Sequence, residues 1–124
     1  YLEPMKISKA DFDQMKVKYD QEVKKGKPAK DKKGDVTNQT DWIFFDRSTL
    51  EEILADSNAT GIKFYFTEYT EATAKTFYPE NPDQYVGRIN LVMTASGDGQ
   101  SDILDASGDP SYFNKGQMCP PHCQ

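Results

Sequence analysis

The residues best suited to chemistry crowd into one short segment, "MCPPHC", Met118 to Cys123. Both cysteines, Cys119 and Cys123, and the single histidine, His122, fall within five residues there. Two thiolates and an imidazole supply three of the four ligands that a tetrahedral zinc prefers, leaving the fourth to water, a carboxylate or a second chain. Met118 adds a thioether beside them, which favours Cu(I). No cofactor is expected of the chain as a whole, and zinc or copper on Cys119, His122 and Cys123 is the one these residue types would allow. The C-x3-C spacing differs from both the CxxCH haem-attachment pattern and the CxxC redox motif.

The competing reading of the same segment is a disulfide between Cys119 and Cys123. An extended polyproline run would hold their Cα atoms roughly 12 Å apart, at about 3.1 Å per residue. A disulfide needs about 4.4–6.8 Å, so the prolines must turn, as a cis bond allows. So short a ring stabilises a fold little. Metal ligation needs a bend as well, and geometry leaves both readings open. A reducing compartment favours free thiols and an oxidising one favours the bond.

Other constellations are poorer in chemistry. "GDGQSDILDASGD" gathers Asp98, Asp102, Asp105 and Asp109, but it lacks the alternating acids and the twelfth-position Glu of an EF-hand loop. Gly97, Asp98 and Gly99 read instead as a hairpin turn. The adjacent carboxylates of "STLEE" point apart on a helix and make no dyad. No nucleophile elbow, P-loop or HExxH motif occurs, so an enzyme is not expected. Tyr69, Phe77 and Tyr78 belong to an aromatic run around Pro79 and Pro82. Tyr and Pro on a long connection suit a partner-binding surface, and they suit equally a cover over an open end of a sheet.

These segments must be positioned by a chain of 124 residues, the size of one ordinary domain with a core that needs no cross-link. Fifteen aromatic residues offset a modest apolar content. No apolar run is long enough to span a bilayer, so no membrane partner is expected. "MKISKADF" reads as a natural start at Met5, with Tyr1 to Pro4 upstream of it; such a start favours a cytoplasmic protein. Residues 1–33 carry net +4 and residues 34–124 net −9. Six lysines lie between Lys24 and Lys33; with Gly26, Pro28 and Gly34 around them they read as a solvated, mobile loop. No aromatic interleaves them for base stacking and the whole chain is acidic, which argues against nucleic acid.

Ser8 caps a helix within residues 5–25, answered by Asp11, with Ile7 and Phe12 as a hydrophobic staple. Phe12, Met15, Tyr19 and Val23 form its apolar face. The lysine-rich loop occupies 26–41. Trp42 to Phe45 reads as a short strand buried on both faces. Ser48 and Glu51 then open a second helix bearing Leu50, Ile53 and Leu54. "GIKFYFTEY" alternates Ile62, Phe64 and Phe66 with Lys63, Tyr65 and Thr67, a strand. Residues 70–86 lack periodicity. "RINLVMTA" is another strand, and Asp102 to Leu104 a short return strand. Residues 106–124, rich in Gly, Pro, Ser and Asn, read as an irregular tail. The result is one α+β domain: two helices on one face of an antiparallel sheet of three or four strands, the sheet and second helix lying in 42–105.

The ordered pieces "ISKADFDQMKVKY", "WIFFDRSTLEEIL", "GIKFYF", "INLVM", "GDGQSDIL" and "CPPHC" resemble a group of small uncharacterised proteins common in Bacteroidota genomes. The resemblance covers most of the chain outside the lysine-rich loop and residues 70–86. It implies a bacterial origin and the same layout, and brings no activity with it. The expectation from sequence is a non-enzymatic module that binds another protein. A metal-binding protein using the C-terminal segment is the alternative, and an acidic inhibitor or immunity-type protein is a third.

Overall fold

The computed structural model describes residues 5–114 and 116–123; Tyr1 to Pro4, upstream of the expected start, lie outside them. Helix α1 runs Lys9–Gln21, with the Ser8 side chain accepting from the Asp11 N–H at 3.1 Å. Phe12 and Met15 are its buried residues. The helix stops short of residue 25 because Val23–Lys25 tighten into a 3-10 turn, closed by Gly26 in the left-handed region at φ 79°.

Strands β1 (Met5–Ile7), β5 (Gly61–Glu68), β6 (Ile89–Ser96) and β7 (Tyr112–Asn114) form one antiparallel sheet in the order β1-β7-β6-β5. Paired residues share a face, so register sorts the side chains. Tyr65 opposes Val92, Thr67 opposes Asn90 and Ile7 opposes Tyr112, all on one face; Phe64, Met93 and Phe113 lie on the other. The first face carries the core. Phe12 of α1 stacks on Tyr112 with ring centroids 4.2 Å apart and meets Tyr65 edge-on at 5.0 Å. Thr67 and Val92 are wholly buried, whereas Phe64 and Phe66 are left exposed. Both faces of this strand are rich in rings, and the sequence pattern does not say which of them the helix covers.

The fold is α+β, with two helices on one face of a four-stranded antiparallel sheet. The second of those is α3 (Glu71–Phe77), inside the stretch expected to lack periodicity; its Ala74 and Phe77 join the core of Phe12, Met15, Val92 and Tyr112. Thr70 and Thr73 cap it reciprocally. The expected second helix exists as α2 (Arg47–Leu54), but its Ile53 lines a small hollow with Ala95 and Phe113, by the opposite face. Its cap is Asp46 rather than Ser48: Asp46 Oδ1 accepts from the Thr49 N–H at 3.0 Å and from the Ser48 and Thr49 hydroxyls.

Three further expectations are corrected. The lysine-rich segment is a docked hairpin, β2 (Lys30–Asp31) with β3 (Gly34–Asp35), not a mobile loop. Lys32 Nζ reaches Asp83 at 3.2 Å, the Lys30 N–H donates to Glu22 at 2.7 Å, and Ala29 is buried. Strand β4 (Trp42–Phe44) buries one face only: Trp42 is 40% and Phe44 56% exposed, while Ile43 packs on the core. Lastly, the tail is not irregular. It supplies β7, an interior strand of the main sheet, and β8 (Gln117–Cys119), which pairs with β4. Runs of three residues carry too little periodicity to be read, and tertiary pairing makes them strands. The Gly97–Gly99 turn is present, with Asp98 Oδ1 accepting from the N–H groups of Gln100 and Ser101, but the return strand shrinks to the bridges Ser96–Asp102 and Leu104–Pro110.

Candidate functional site

Cys119 and Cys123 are joined as a disulfide, with Cα atoms 4.5 Å apart and the Cys119–Pro120 and Pro120–Pro121 bonds cis. The His122 N–H donates to the Met118 carbonyl at 2.8 Å, and Gln117 Nε2 donates to the His122 carbonyl at 3.1 Å. His122 and Cys123 face solvent. With both sulfurs bonded to each other, neither is the thiolate that zinc or Cu(I) requires. Among the described residues no group of three or more His, Cys, Asp and Glu side chains gathers to hold a metal. The expected Cys119–His122–Cys123 ligand set is not what this arrangement assembles.

Tyr69, Phe77 and Tyr78, expected on a partner-binding surface, are 0%, 4% and 8% exposed. They are core residues, because α3 folds the connection back onto the sheet and turns its rings inward. Tyr69 Oη donates to Asn114 Oδ1 at 2.8 Å, and Asn114 Nδ2 donates to Asn90 Oδ1 at 3.2 Å. The Tyr69 ring also meets Tyr78 and Tyr85 edge-on, at 5.5 and 6.0 Å. This group gives the core a polar spine, which explains how so many hydroxyls and amides are buried there.

The two segments singled out from the sequence nevertheless meet. A cleft of about 610 Å³ opens between the end of α3 and the disulfide ring. Phe77, Tyr78, Tyr85 and Met118 form its floor, and Glu80, Asn81 and His122 its rim. Tyr78 and Tyr85 stack with centroids 3.5 Å apart and planes 2° from parallel. Burial pushes the Tyr78 phenol up to about 12 and raises that of Tyr85 as well, so both stay protonated and neither serves as a base. Gly116 marks where the chain passes the cleft. A Cβ there would lie 2.7 Å from Ile43 Cγ2 and 2.8 Å from the Phe44 carbonyl oxygen. An apolar aromatic floor with a polar rim can hold a flat apolar group and orient its polar end. Tyr85 belongs to the same aromatic run around Pro79 and Pro82; Gly116 was not foreseen, since it lies between two unread strands.

A second unusual group lies elsewhere. Glu68, at the end of β5, is fully buried, and both its carboxyl oxygens lack a hydrogen-bond partner. Lys18 Nζ stands 3.9 Å away. Burial, with the Glu22 carboxylate next to it, pushes the Glu68 carboxyl up to about 8. In the sequence Glu68 reads as the polar end of a strand and gives no sign of this.

No protein-family model, curated protein or solved structure matches this chain.

Proposed function

We propose that this protein is a non-enzymatic binding module whose ligand is a short peptide segment of a partner protein, seated in the cleft between α3 and the C-terminal disulfide ring. One observation carries the reading: the aromatic connection and the Cys-Pro segment, distant in sequence, converge on a single concave surface with an aromatic floor and a polar rim. The floor phenols stay protonated, so they act as contact surface and hydrogen-bonding groups. Side chains with a flat apolar body, such as aromatic residues or proline, match such a floor.

The test is a titration of the ¹⁵N-labelled protein with a panel of capped dipeptides covering all side chains. Members with aromatic residues or proline are expected to move the amide resonances of Asn81, Gly116 and His122. Perturbations scattered over the surface, or centred on β5 and α2, would remove the proposal.

A further inference from the structure

We infer that the Cys119–Cys123 bond is a redox latch on this cleft: it fixes the His122 side of the rim, and reducing it releases that side. The inference rests on the cleft being the ligand seat and adds its regulation. The two ends of the ring are held very differently. Cys119 is buried in β8; it pairs with Trp42, and its carbonyl accepts from the Asp41 N–H at 2.6 Å. Met118, just before it, is fixed in the core opposite Ile43. Past the prolines, His122 and Cys123 are exposed, and His122 is held by hydrogen bonds with Met118 and Gln117. Beside those two hydrogen bonds, the covalent tie is what returns the outer half of the ring to the floor. Cutting it leaves Met118 in place and frees the part of the rim opposite Glu80 and Asn81.

The reductant is a dithiol, and Cys123 is where it can enter. Its thiolate attacks the exposed Cys123 Sγ, and the Cys119 thiolate leaves and takes up a proton. The second thiol of the reagent then attacks its own mixed-disulfide sulfur and releases Cys123. Two electrons and two protons pass to the protein, and the reagent becomes a cyclic disulfide. The protein carries its own reporter, since its single tryptophan, Trp42, pairs with Cys119 across β4 and β8. A disulfide quenches a nearby excited indole by accepting its electron, so reduction should brighten Trp42.

The experiment compares the oxidised chain, the same sample after excess dithiothreitol, and Cys123→Ser without reductant, by thiol titration, Trp42 emission and amide spectra. The exposed Cys123 thiol should titrate in the folded protein, the buried Cys119 thiol only in denaturant, and the emission should rise. The His122 resonances should move, those of Glu80, Asn81 and Tyr85 should follow, and Lys63 to Tyr65 should stay. Cys123→Ser should reproduce the emission and resonance changes, with Cys119 as its single thiol. The latch is overturned if the Cys123 thiol titrates while Glu80, Asn81 and Tyr85 stay unmoved. A Cys123 thiol that titrates only in denaturant, or a loss of dispersion throughout the spectrum, would overturn it too. The dipeptide panel separates the two ideas: binding in neither redox state removes the peptide seat, while the unliganded spectra still judge the latch.

Discussion

At the scale of single residues, Glu68 shows how an ordinary polar position becomes a liability once the chain closes over it. Its carboxyl is buried and held up to about 8, first by burial and then by the neighbouring Glu22 carboxylate, which favours the protonated form beside it. The folded state therefore prefers the neutral acid. The stability this group permits is fully present below its ordinary value of 4.5 and is lost as pH rises through about 8. Glu22 runs the other way: burial raises it, but hydrogen bonds from Lys18 and the Lys30 N–H outweigh that and hold it low. Its stabilisation is present at neutral pH and fades in acid. Glu68→Gln should thus flatten the decline of thermal stability between pH 5 and pH 8. At pH 8 it should gain on the order of a few kcal/mol, because the amide cannot ionise and so escapes the loss that accompanies the rise in pH; at pH 4 it should change little. Thermal melts of both proteins across that range check this, and parallel profiles would mean that Glu68 does not ionise within it. No sequence pattern betrays such a group, because its burial depends on where α1 and the lysine hairpin come to lie.

Among the elements, the helices were legible where caps and apolar spacing agreed. Ser8, Phe12 and Met15 do in α1 what their spacing says. In α2 two capping residues compete within three positions, Asp46 and Ser48, and the structure gives the role to Asp46. Asp46→Ala should then cost about 1 kcal/mol, and Ser48→Ala only a few tenths, as denaturant titration of the two variants would show; equal losses would return the role to Ser48. Helix α3 escaped because its capping partner is Thr73, where Glu or Gln is the usual signal, and because Pro79 and Pro82 follow directly. The aromatics around it, expected on a partner-binding surface, face inward. Tyr69→Phe, which removes the donor to Asn114 Oδ1, should therefore destabilise the fold by about 1–3 kcal/mol. The measurement is a chemical melt, and an unchanged midpoint would contradict the core role of that hydroxyl.

Taken whole, the molecule is held by contacts between segments that the sequence shows as opposites. The basic first quarter and the acidic remainder meet as ion pairs, with Lys32 reaching Asp83 and Glu71. Exposed pairs of this kind add little each, but they place the hairpin across α3 and account for an uneven charge that otherwise suggests an external partner. The tail is the stronger case. Its composition reads as irregular, yet Tyr112–Asn114 lies between β1 and β6, Tyr112 stacks on Phe12, and Asn114 accepts from Tyr69. Removing β7 would leave β1 without its partner strand and open the core along Phe12. The disulfide further along closes only a five-residue ring, and a loop so short contributes about 2 kcal/mol in the chain-entropy estimate. The two parts of the tail should therefore separate cleanly by experiment. A chain ending at Leu104 should lose its cooperative thermal transition and its near-UV dichroism. The double variant Cys119→Ser with Cys123→Ser should keep both and melt at a modestly lower temperature. A cooperative melt in the shortened chain would show that the sheet closes without β7. A collapse of the double variant would make the ring, and not the strand, the element that holds the C-terminal part of the fold in place.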